Sequence, residues 1–318
     1  MSEHKKHTSC YIHLMGGLGN QLFQLAAGLH HSFRHGCILV LDESSTSIRR
    51  NYLGHAEVLS YKSSKYLNTS VQSWYKKISR KFTNRILRLS LSSNSNKINS
   101  YLIFLLVFIQ SIILSANFKK IIKVWSARQI GYEQINCFRN SNYLIGYFQS
   151  YKYASEPHVN SILRSLTYPN KSVESYKDLC LAEKPLIVHI RLGDYNNEPQ
   201  FGIVSKDYYA SSISIMMKRY NFISIHVFSD DIEMAKSFIP KKYFSICRWM
   251  DGKGELSNTT LEKMRCGSAY IIGNSTFGWW GAYLSHTKNP PTIAPEPWFI
   301  EMNEPNELIP PEWIRIGR

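Results

Sequence analysis

The sequence predicts an α/β protein with two domains, each built on a parallel sheet covered by helices. Two observations support this fold class. The chain has 318 residues and 44% of them are hydrophobic, which is enough for about two domains of roughly 150 residues each. Near both ends of the chain, short apolar segments of strand length alternate with segments of helical periodicity.

The first domain begins with a strand, a tight turn, a helix and a second strand. Residues 10–15 form a short apolar segment, residues 16–20 are rich in glycine, and residues 37–41 are apolar again. A helix is predicted over residues 21–35, because its apolar side chains recur at helical spacing and Gly36 can end it. This βαβ pattern indicates a parallel sheet. The predicted apolar face of the helix consists of Leu22, Phe23, Ala26, Leu29 and Phe33.

The second half of the chain repeats this alternation. Strands are predicted over residues 185–191, 224–229 and 269–272 and near Arg248, and helices over residues 207–219, 232–238 and 279–284. A polar, Ser-rich stretch follows residue 150, and such stretches are typical of domain boundaries. We therefore predict an N-terminal domain over residues 1–150 and a C-terminal domain over residues 151–318.

The formal net charge of +15 comes almost entirely from one block, residues 61–132. This block contains thirteen Lys or Arg residues and no Asp or Glu, which leaves 25 basic against 23 acidic residues elsewhere. Within it, residues 71–89 predict a basic amphipathic helix and residues 101–114 an apolar helix that is short for a membrane span. We interpret the block as an insert that binds an anionic membrane surface. The alternative is an ordinary pair of domain helices with a solvated basic face, so insertion or core packing of residues 101–116 is left open.

Several function classes are disfavoured by what the sequence lacks. Residues 1–10 contain no apolar run that could serve as a signal peptide or anchor, so we expect a cytoplasmic protein, peripheral at most on the inner membrane face. Six widely spaced cysteines without a C-x-x-C pair predict reduced thiols that pack in the core. Neither a zinc motif nor Asp-x-Asp occurs, so no metal and no cofactor is expected. No nucleic-acid-binding motif accompanies the basic block, so no nucleic-acid partner is expected.

The first motif with chemical potential is the glycine-rich turn before the first helix. Backbone N–H groups at such a helix start can bind phosphate, and glycines allow a ligand to approach closely. The spacing fits neither the P-loop nor the complete dinucleotide fingerprint, and a plain tight turn is equally compatible with it. Its candidate binding residues are Gly17, Gly19, Asn20 and Gln21.

Three further motifs follow predicted strands of the second half, where open α/β sheets bind ligands. His189 and Arg191 alternate on one strand, and the guanidinium of Arg191 could clamp a diphosphate; the alternative is an ion pair with Asp194 that closes the turn. Asp230 follows the next strand and could contact a base or ribose, or cap the helix that follows. The third motif begins a helix and suits phosphate oxygens; it consists of Asn274, Ser275, Thr276 and Phe277.

Together these motifs resemble glycosyltransferase family 11, the α-1,2-fucosyltransferases, and in particular its bacterial members without an N-terminal anchor. The resemblance rests on five blocks in the family's order, which lie at residues 17–24, 146–150, 189–209, 228–231 and 274–280. The chain departs from the family pattern where a second Arg, a Ser and an Ala are common; these positions hold Leu192, Gly278 and Gly281.

The resemblance implies a GT-B fold, in which two facing Rossmann-like domains enclose a cleft. The C-terminal domain would hold the nucleotide sugar and the N-terminal domain most of the acceptor. It also implies an inverting transfer of L-fucose from GDP-β-L-fucose to O2 of a terminal galactose, without a required metal, on a lipid-linked glycan of O-antigen or capsule assembly. The alternatives are another nucleotide-sugar glycosyltransferase on the same scaffold, or a non-enzymatic basic protein that binds membranes or nucleic acid.

An inverting transfer needs two kinds of group. A base removes the proton of the acceptor hydroxyl, and a positive group stabilises the charge that grows on the β-phosphate. Arg191 is the candidate for the phosphate. Asp194 and His189 are the candidates for the base, with an acidic residue of the N-terminal domain as the alternative, and Asp230 is the candidate for contact with guanine or ribose.

Overall fold

The structure is a computed structural model, and it describes residues 8–42, 85–86, 97–118, 121–135, 141–166, 171–193, 202–305 and 307–318. The chain divides into two units. Unit 1 comprises Met1–Leu166 and Pro305–Leu308, and unit 2 comprises Thr167–Glu304 and Ile309–Arg318. Each unit is an α/β structure around a parallel sheet, which confirms the predicted fold class.

The sheet of unit 1 contains four parallel strands among the described residues, in the order β2–β1–β4–β3. These strands are β1 (Ser9–His13), β2 (Ile38–Asp42), β3 (Ile122–Ser126) and β4 (Ser141–Ile145). Helix α1 (Leu18–His35) joins β1 to β2 as predicted and begins three residues earlier than expected. It ends at Gly36, whose φ of 61° is the left-handed conformation that glycine adopts without strain.

The buried face of α1 follows the predicted pattern except near the end of the helix. Leu22, Phe23, Ala26 and Leu29 are buried. Phe33 is 49% exposed, so the prediction is wrong at this position. Its ring lies beside the ring of His158, 5.6 Å away between centroids, instead of packing against the sheet.

The predicted insert is not separate from the sheet of unit 1. Strand β3 lies within residues 61–132 and pairs with β4, which the sequence patterns did not indicate. Helix α2 (Lys97–Phe118) packs against β3, and its residues Leu106 and Leu114 are buried in the core. On the other side of α2, Phe104 and Phe108 are 72% and 55% exposed. One face of this helix is therefore core and another is an apolar surface.

The amphipathic helix predicted over residues 71–89 lies outside the described residues, except for Arg85 and Ile86. Ile86 belongs to the predicted apolar stripe, and it is fully buried in the same cluster as Leu106 and Leu114. This position therefore packs against protein, as the alternative of ordinary domain helices requires. Among the described residues, no helix has the length and hydropathy that a membrane span needs.

The first unit also extends beyond the predicted boundary at residue 150. Two short helices, α3 (Tyr151–Ala154) and α4 (Pro157–Ser165), pack against α1 and therefore belong to unit 1. The chain returns to this unit near its end, where the N–H of Tyr151 donates to the carbonyl oxygen of Glu307. The start of the Ser-rich stretch is thus a helical part of unit 1, and the boundary lies after Leu166.

The sheet of unit 2 contains six parallel strands among the described residues, in the order β10–β9–β8–β5–β6–β7. The strands are β5 (Leu186–Ile190), β6 (Ile225–Ser229), β7 (Cys247–Asp251), β8 (Ala269–Ile272), β9 (Thr292–Glu296) and β10 (Ile314–Gly317). The α-helices are α5 (Lys171–Glu183), α6 (Lys206–Tyr220), α7 (Ile232–Ala235), α8 (Ser257–Met264) and α9 (Thr276–Tyr283), with 3₁₀ turns at Lys236–Phe238 and Lys241–Ile246. The strands and helices predicted for this half are confirmed within a few residues.

Each sheet has a topological switch point, where successive connections leave to opposite sides. In unit 1 it lies between β1 and β4, because β1 leads through α1 to β2 on its other side. In unit 2 it lies between β5 and β8, because β5 leads through α6 to β6. Open α/β sheets bind ligands at the carboxyl ends of the strands that flank such points. The glycine-rich turn follows β1 and Arg191 follows β5, so both lie where ligand sites are expected.

Candidate active site

Arg191 leaves the sheet of unit 2 at its switch point. It follows β5 directly, and its side chain is 33% exposed. Its Nη1 lies 3.2 Å from Oδ2 of Asp230, which follows β6, the strand next to β5. The guanidinium is therefore accessible at the carboxyl edge of the sheet and is oriented by a carboxylate from the neighbouring strand.

Asp230 also holds the turn that follows Arg191. Its Oδ1 accepts a hydrogen bond from the N–H of Leu192 and its Oδ2 accepts one from the N–H of Gly193, both at 2.9 Å. The predicted alternative role of Asp230 as a helix cap is wrong, since Asp231 caps α7 with its carboxylate. Both oxygens of Asp230 already have partners, so a contact with guanine or ribose, which stays a prediction, would have to share them.

Asp194, the first candidate for the base, lies outside the described residues, as do its neighbours up to residue 201. The predicted ion pair between Arg191 and Asp194 therefore stays a prediction. The structure shows Asp230 as a carboxylate partner of Arg191, so the guanidinium has an orienting group that does not depend on Asp194.

His189 lies two residues before Arg191 on β5 and is buried beside the first turn of α9. Its Nδ1 has no hydrogen-bond partner, and its ring centroid lies 5.9 Å from that of Phe277. Burial, and to a lesser extent the charge of Arg191, lowers the pKa of His189 to about 4, so the imidazole is neutral at pH 7. An imidazole with a lowered pKa is a weak base, so His189 is poorly suited to remove the proton of an acceptor hydroxyl.

The backbone of α9 comes very close to His189 at Gly278. A Cβ at this glycine would lie 2.6 Å from Nδ1 of His189, so glycine leaves the space that the imidazole occupies. The family pattern commonly has Ser here, and the chain therefore differs at a position in direct contact with the candidate site.

Replacing Gly278 with alanine should lower both the melting temperature and kcat/KM. Alanine in a helix is favoured over glycine by about 1 kcal/mol, but overpacking a core costs about 1–3 kcal/mol, and the imidazole of His189 would have to shift. The matched control is Gly252→Ala, where the nearest atom would be 3.5 Å from the new Cβ. Gly278→Ala with the melting temperature and kcat/KM of the control would contradict this prediction.

The polar residues predicted at the start of α9 lie beside the end of β5, because α9 follows β8 and β8 pairs with β5. Ser275 caps the helix by accepting a hydrogen bond from the N–H of Phe277 at 3.3 Å. Asn274 donates from Nδ2 to the carbonyl oxygen of Gly202 at 3.0 Å, and Thr276 is the first helical residue. The partial positive charge of a helix N-terminus suits phosphate oxygens.

In unit 1, side-chain amides join the glycine-rich turn to the segment that follows β4. Gln149 donates from Nε2 to Oδ1 of Asn20 at 3.1 Å, and its Oε1 is buried without a hydrogen-bond partner. Gln24 accepts a hydrogen bond from the N–H of Met15 and donates to the carbonyl oxygen of Gly146. The structure therefore brings together two blocks of the family resemblance that are more than a hundred residues apart in the chain.

Within the glycine-rich turn, the predicted binding residues differ in exposure. Gly19 and Gln21 are buried, and Gln21 donates from Nε2 to the carbonyl oxygen of Gly16. Gly17 is exposed and Asn20 is partly exposed. A ligand at this end of the sheet can thus reach Gly17 and Asn20 more readily than the other two.

Sequence reasoning missed a buried polar network at the same edge of the unit 1 sheet. Asp42, at the end of β2, accepts a hydrogen bond from the hydroxyl of Tyr143 on β4. Nδ1 of His13, at the end of β1, lies 2.9 Å from that hydroxyl oxygen and 3.5 Å from Oδ2 of Asp42. His13 could have been found from the sequence, because it is a polar residue at the end of an apolar strand. The part played by Tyr143 could not, because β4 was not predicted. His13 and Asp42 are buried, so the network orders the strand ends behind the turn.

Comparison with known proteins shows which proteins this chain is similar to. A family model described as Glycosyl transferase family 11 matches residues 9–316. An alpha-1,2-colitosyltransferase of Escherichia coli is 32% identical, over 96% of this chain and 98% of that protein. The O-antigen biosynthesis glycosyltransferase WbnK of Escherichia coli is 27% identical, over 96% of this chain and 100% of that protein. The crystal structure of fucosyltransferase NodZ from Bradyrhizobium is 10% identical, covers 88% of this chain and 94% of that chain, and has a TM-score of 0.46.

Proposed function

The chain belongs to glycosyltransferase family 11, and we propose that it transfers L-fucose from GDP-β-L-fucose to O2 of a terminal galactose on a glycan, with inversion at the sugar. The observation that carries the donor half of this proposal is the position of Arg191. It lies at the switch point of unit 2. The neutral imidazole of His189 precedes it on β5, and α9 begins after β8, the strand that pairs with β5.

In this mechanism Arg191 and the N-terminus of α9 bind the diphosphate of the donor. As the sugar leaves, negative charge grows on the β-phosphate, and positive groups already in place stabilise that charge. A guanidinium can form two parallel hydrogen bonds with phosphate oxygens, so it suits this role without a metal ion.

Asp194 remains the proposed base. It lies three residues after Arg191 in the chain, and a carboxylate can accept the proton of the acceptor hydroxyl. His189 is less suited to this step, because its pKa is lowered to about 4. In unit 1, the turn with Gly17 and Asn20 is the proposed acceptor side.

A second candidate donor is GDP-colitose, since one relative is named an alpha-1,2-colitosyltransferase and is 32% identical to this chain. Colitose is L-fucose without its 3-hydroxyl group. A site that forms a hydrogen bond with that hydroxyl would reject colitose strongly, whereas a site lined by apolar groups would discriminate only weakly. The name of the second relative supports a glycan acceptor of O-antigen assembly.

The test is a transfer assay with the full-length chain. GDP-fucose, GDP-colitose, GDP-mannose and UDP-galactose are each offered with a galactose-terminated acceptor, and the linkage of the product is determined by NMR. We expect α-1,2-linked fucose with the highest kcat/KM. A higher kcat/KM for GDP-colitose would show that GDP-colitose, and not GDP-fucose, is the donor. Transfer only from GDP-mannose or UDP-galactose would contradict both proposed donors.

We also propose that the basic block brings the enzyme to an anionic membrane surface. Helix α2 and β3 form an apolar groove of about 650 Å³, and exposed apolar patches are typical of interaction sites. Phe104, Phe108 and Ile112 of α2 and the neighbouring Ile121 are all more than half exposed. Lys and Arg are attracted to anionic lipid while exposed aromatic side chains enter the interface.

The double variant Phe104→Ser/Phe108→Ser should bind vesicles of phosphatidylglycerol about tenfold or more weakly, since burying each Phe contributes about 1.5–3 kcal/mol when complete. Co-sedimentation of the full-length chain measures this. The matched control is Leu181→Ser/Ile223→Ser, which removes two apolar side chains of unit 2 that are also more than half exposed. Equal binding of the wild-type chain and both double variants would reject the membrane role of α2.

A further inference from the structure

Cys10, His31 and Cys37 form a buried cluster at the amino edge of the unit 1 sheet. One nitrogen of His31 and the two Sγ atoms all lie within 4.8 Å of one another. Parallel pairing places the beginnings of β1 and β2 side by side, so Cys10 on β1 comes close to Cys37, which directly precedes β2. Helix α1 runs back toward this edge and presents His31 in one of its last turns.

The imidazole of His31 supplies an independent observation. His31 is 1% exposed, and its Nε2 has no hydrogen-bond partner. Leaving a buried polar nitrogen without a partner is unfavourable, and a bound ligand would remove that cost. The ring of His35, one helical turn later, lies 4.5 Å away between centroids, so a second imidazole borders the cluster.

We propose that Cys10, His31 and Cys37 bind one Zn²⁺ ion, and that the imidazole of His35, which is not among the atoms within 4.8 Å of one another, turns toward the ion as the fourth ligand. Thiolate and imidazole are the ligands that Zn²⁺ prefers, at about 2.3 Å for sulfur and about 2.0–2.1 Å for nitrogen in a tetrahedral arrangement. The two thiols release their protons to solvent on binding, and two thiolates balance the charge of the ion. Four protein ligands leave no open position, which is the arrangement of structural zinc sites.

This zinc site is separate from the candidate active site. The glycine-rich turn lies at the N-terminus of α1, and His31 is about 20 Å along the helix from Leu18 at 1.5 Å per residue. The site therefore fixes β1, β2 and the end of α1 to one another without taking part in sugar transfer. Spacing motifs in the sequence did not indicate it, because the ligands come from three different elements.

The full-length chain, purified with a non-thiol reductant and without chelators, is titrated with Zn²⁺ and then with Co²⁺. We expect one equivalent of Zn²⁺ per chain, a raised melting temperature, and with Co²⁺ the charge-transfer and visible absorption of tetrahedral thiolate coordination. Cys37→Ser and His31→Gln should each bind Zn²⁺ at least tenfold more weakly. Cys247→Ser, a thiol of unit 2 outside the cluster, is the matched control and should bind like the wild-type chain.

Two results would overturn the proposal without depending on the folding of a variant. The first is a folded wild-type chain, by circular dichroism, that takes up neither Zn²⁺ nor Co²⁺. The second is a disulfide between Cys10 and Cys37 that persists in the presence of the reductant and is detected by mass spectrometry of peptides. That bond would consume both thiolates. Equal zinc binding by the control and both cluster variants would also overturn it.

Discussion

Replacing Arg191 with alanine should lower kcat by about 10²-fold or more, the usual effect of losing a hydrogen-bond donor that stabilises charge in a transition state. The guanidinium lies at the switch point of the unit 2 sheet and is oriented by Asp230 at 3.2 Å. Arg191→Lys should have an intermediate effect, because an ammonium group retains the charge but not the two parallel hydrogen bonds. Initial rates at saturating donor and acceptor measure both variants.

Arg248→Ala is the matched control for Arg191. Arg248 also forms an ion pair with a carboxylate of unit 2, Glu183, but near the amino ends of the strands, away from the candidate site. Its kcat should stay close to that of the wild-type chain. If Arg191→Ala and Arg248→Ala show the same kcat, Arg191 does not act in the transition state.

Asp230→Asn should lower kcat/KM by roughly 5- to 150-fold, because leaving the N–H of the buried residue Leu192 without its acceptor costs about 1–3 kcal/mol. The carboxylate accepts hydrogen bonds from the N–H groups of Leu192 and Gly193 and pairs with Arg191. An amide can accept only one of these hydrogen bonds well and carries no charge, so Arg191 loses its orientation. As a positioning residue, Asp230 should affect kcat more than the KM for the donor.

The adjacent residue provides the control for Asp230. Asp231 caps α7 by accepting a hydrogen bond from the N–H of Met234, and Asn caps helices about as well as Asp, so Asp231→Asn should change little. A raised KM for GDP-fucose with unchanged kcat in Asp230→Asn would instead indicate direct contact with guanine or ribose. Identical kinetics of the two variants would contradict both roles.

Much of the fold was predictable because its signals are local. The apolar periodicity of α1, its end at Gly36 and the strands that precede Arg191 and Asp230 all arise from residues a few positions apart. Strand β3 and the buried face of α2 were not predicted. A basic and apolar composition is compatible with a helix that packs on a sheet and equally with a helix that lies on a membrane. Ile86 illustrates the difference, since only its burial against the sheet shows which environment it occupies.

The sequence by itself determined the α/β class, the placement of the excess positive charge in one block, and the residues that follow the sheet strands. Only the tertiary structure decided which of these residues are neighbours. Asp230 forms an ion pair with Arg191, Gly278 lies against His189, and the thiol of Cys10 lies close to that of Cys37. Helix periodicity and capping depend on contacts within a few residues, whereas these pairings depend on which distant strands lie side by side in a parallel sheet.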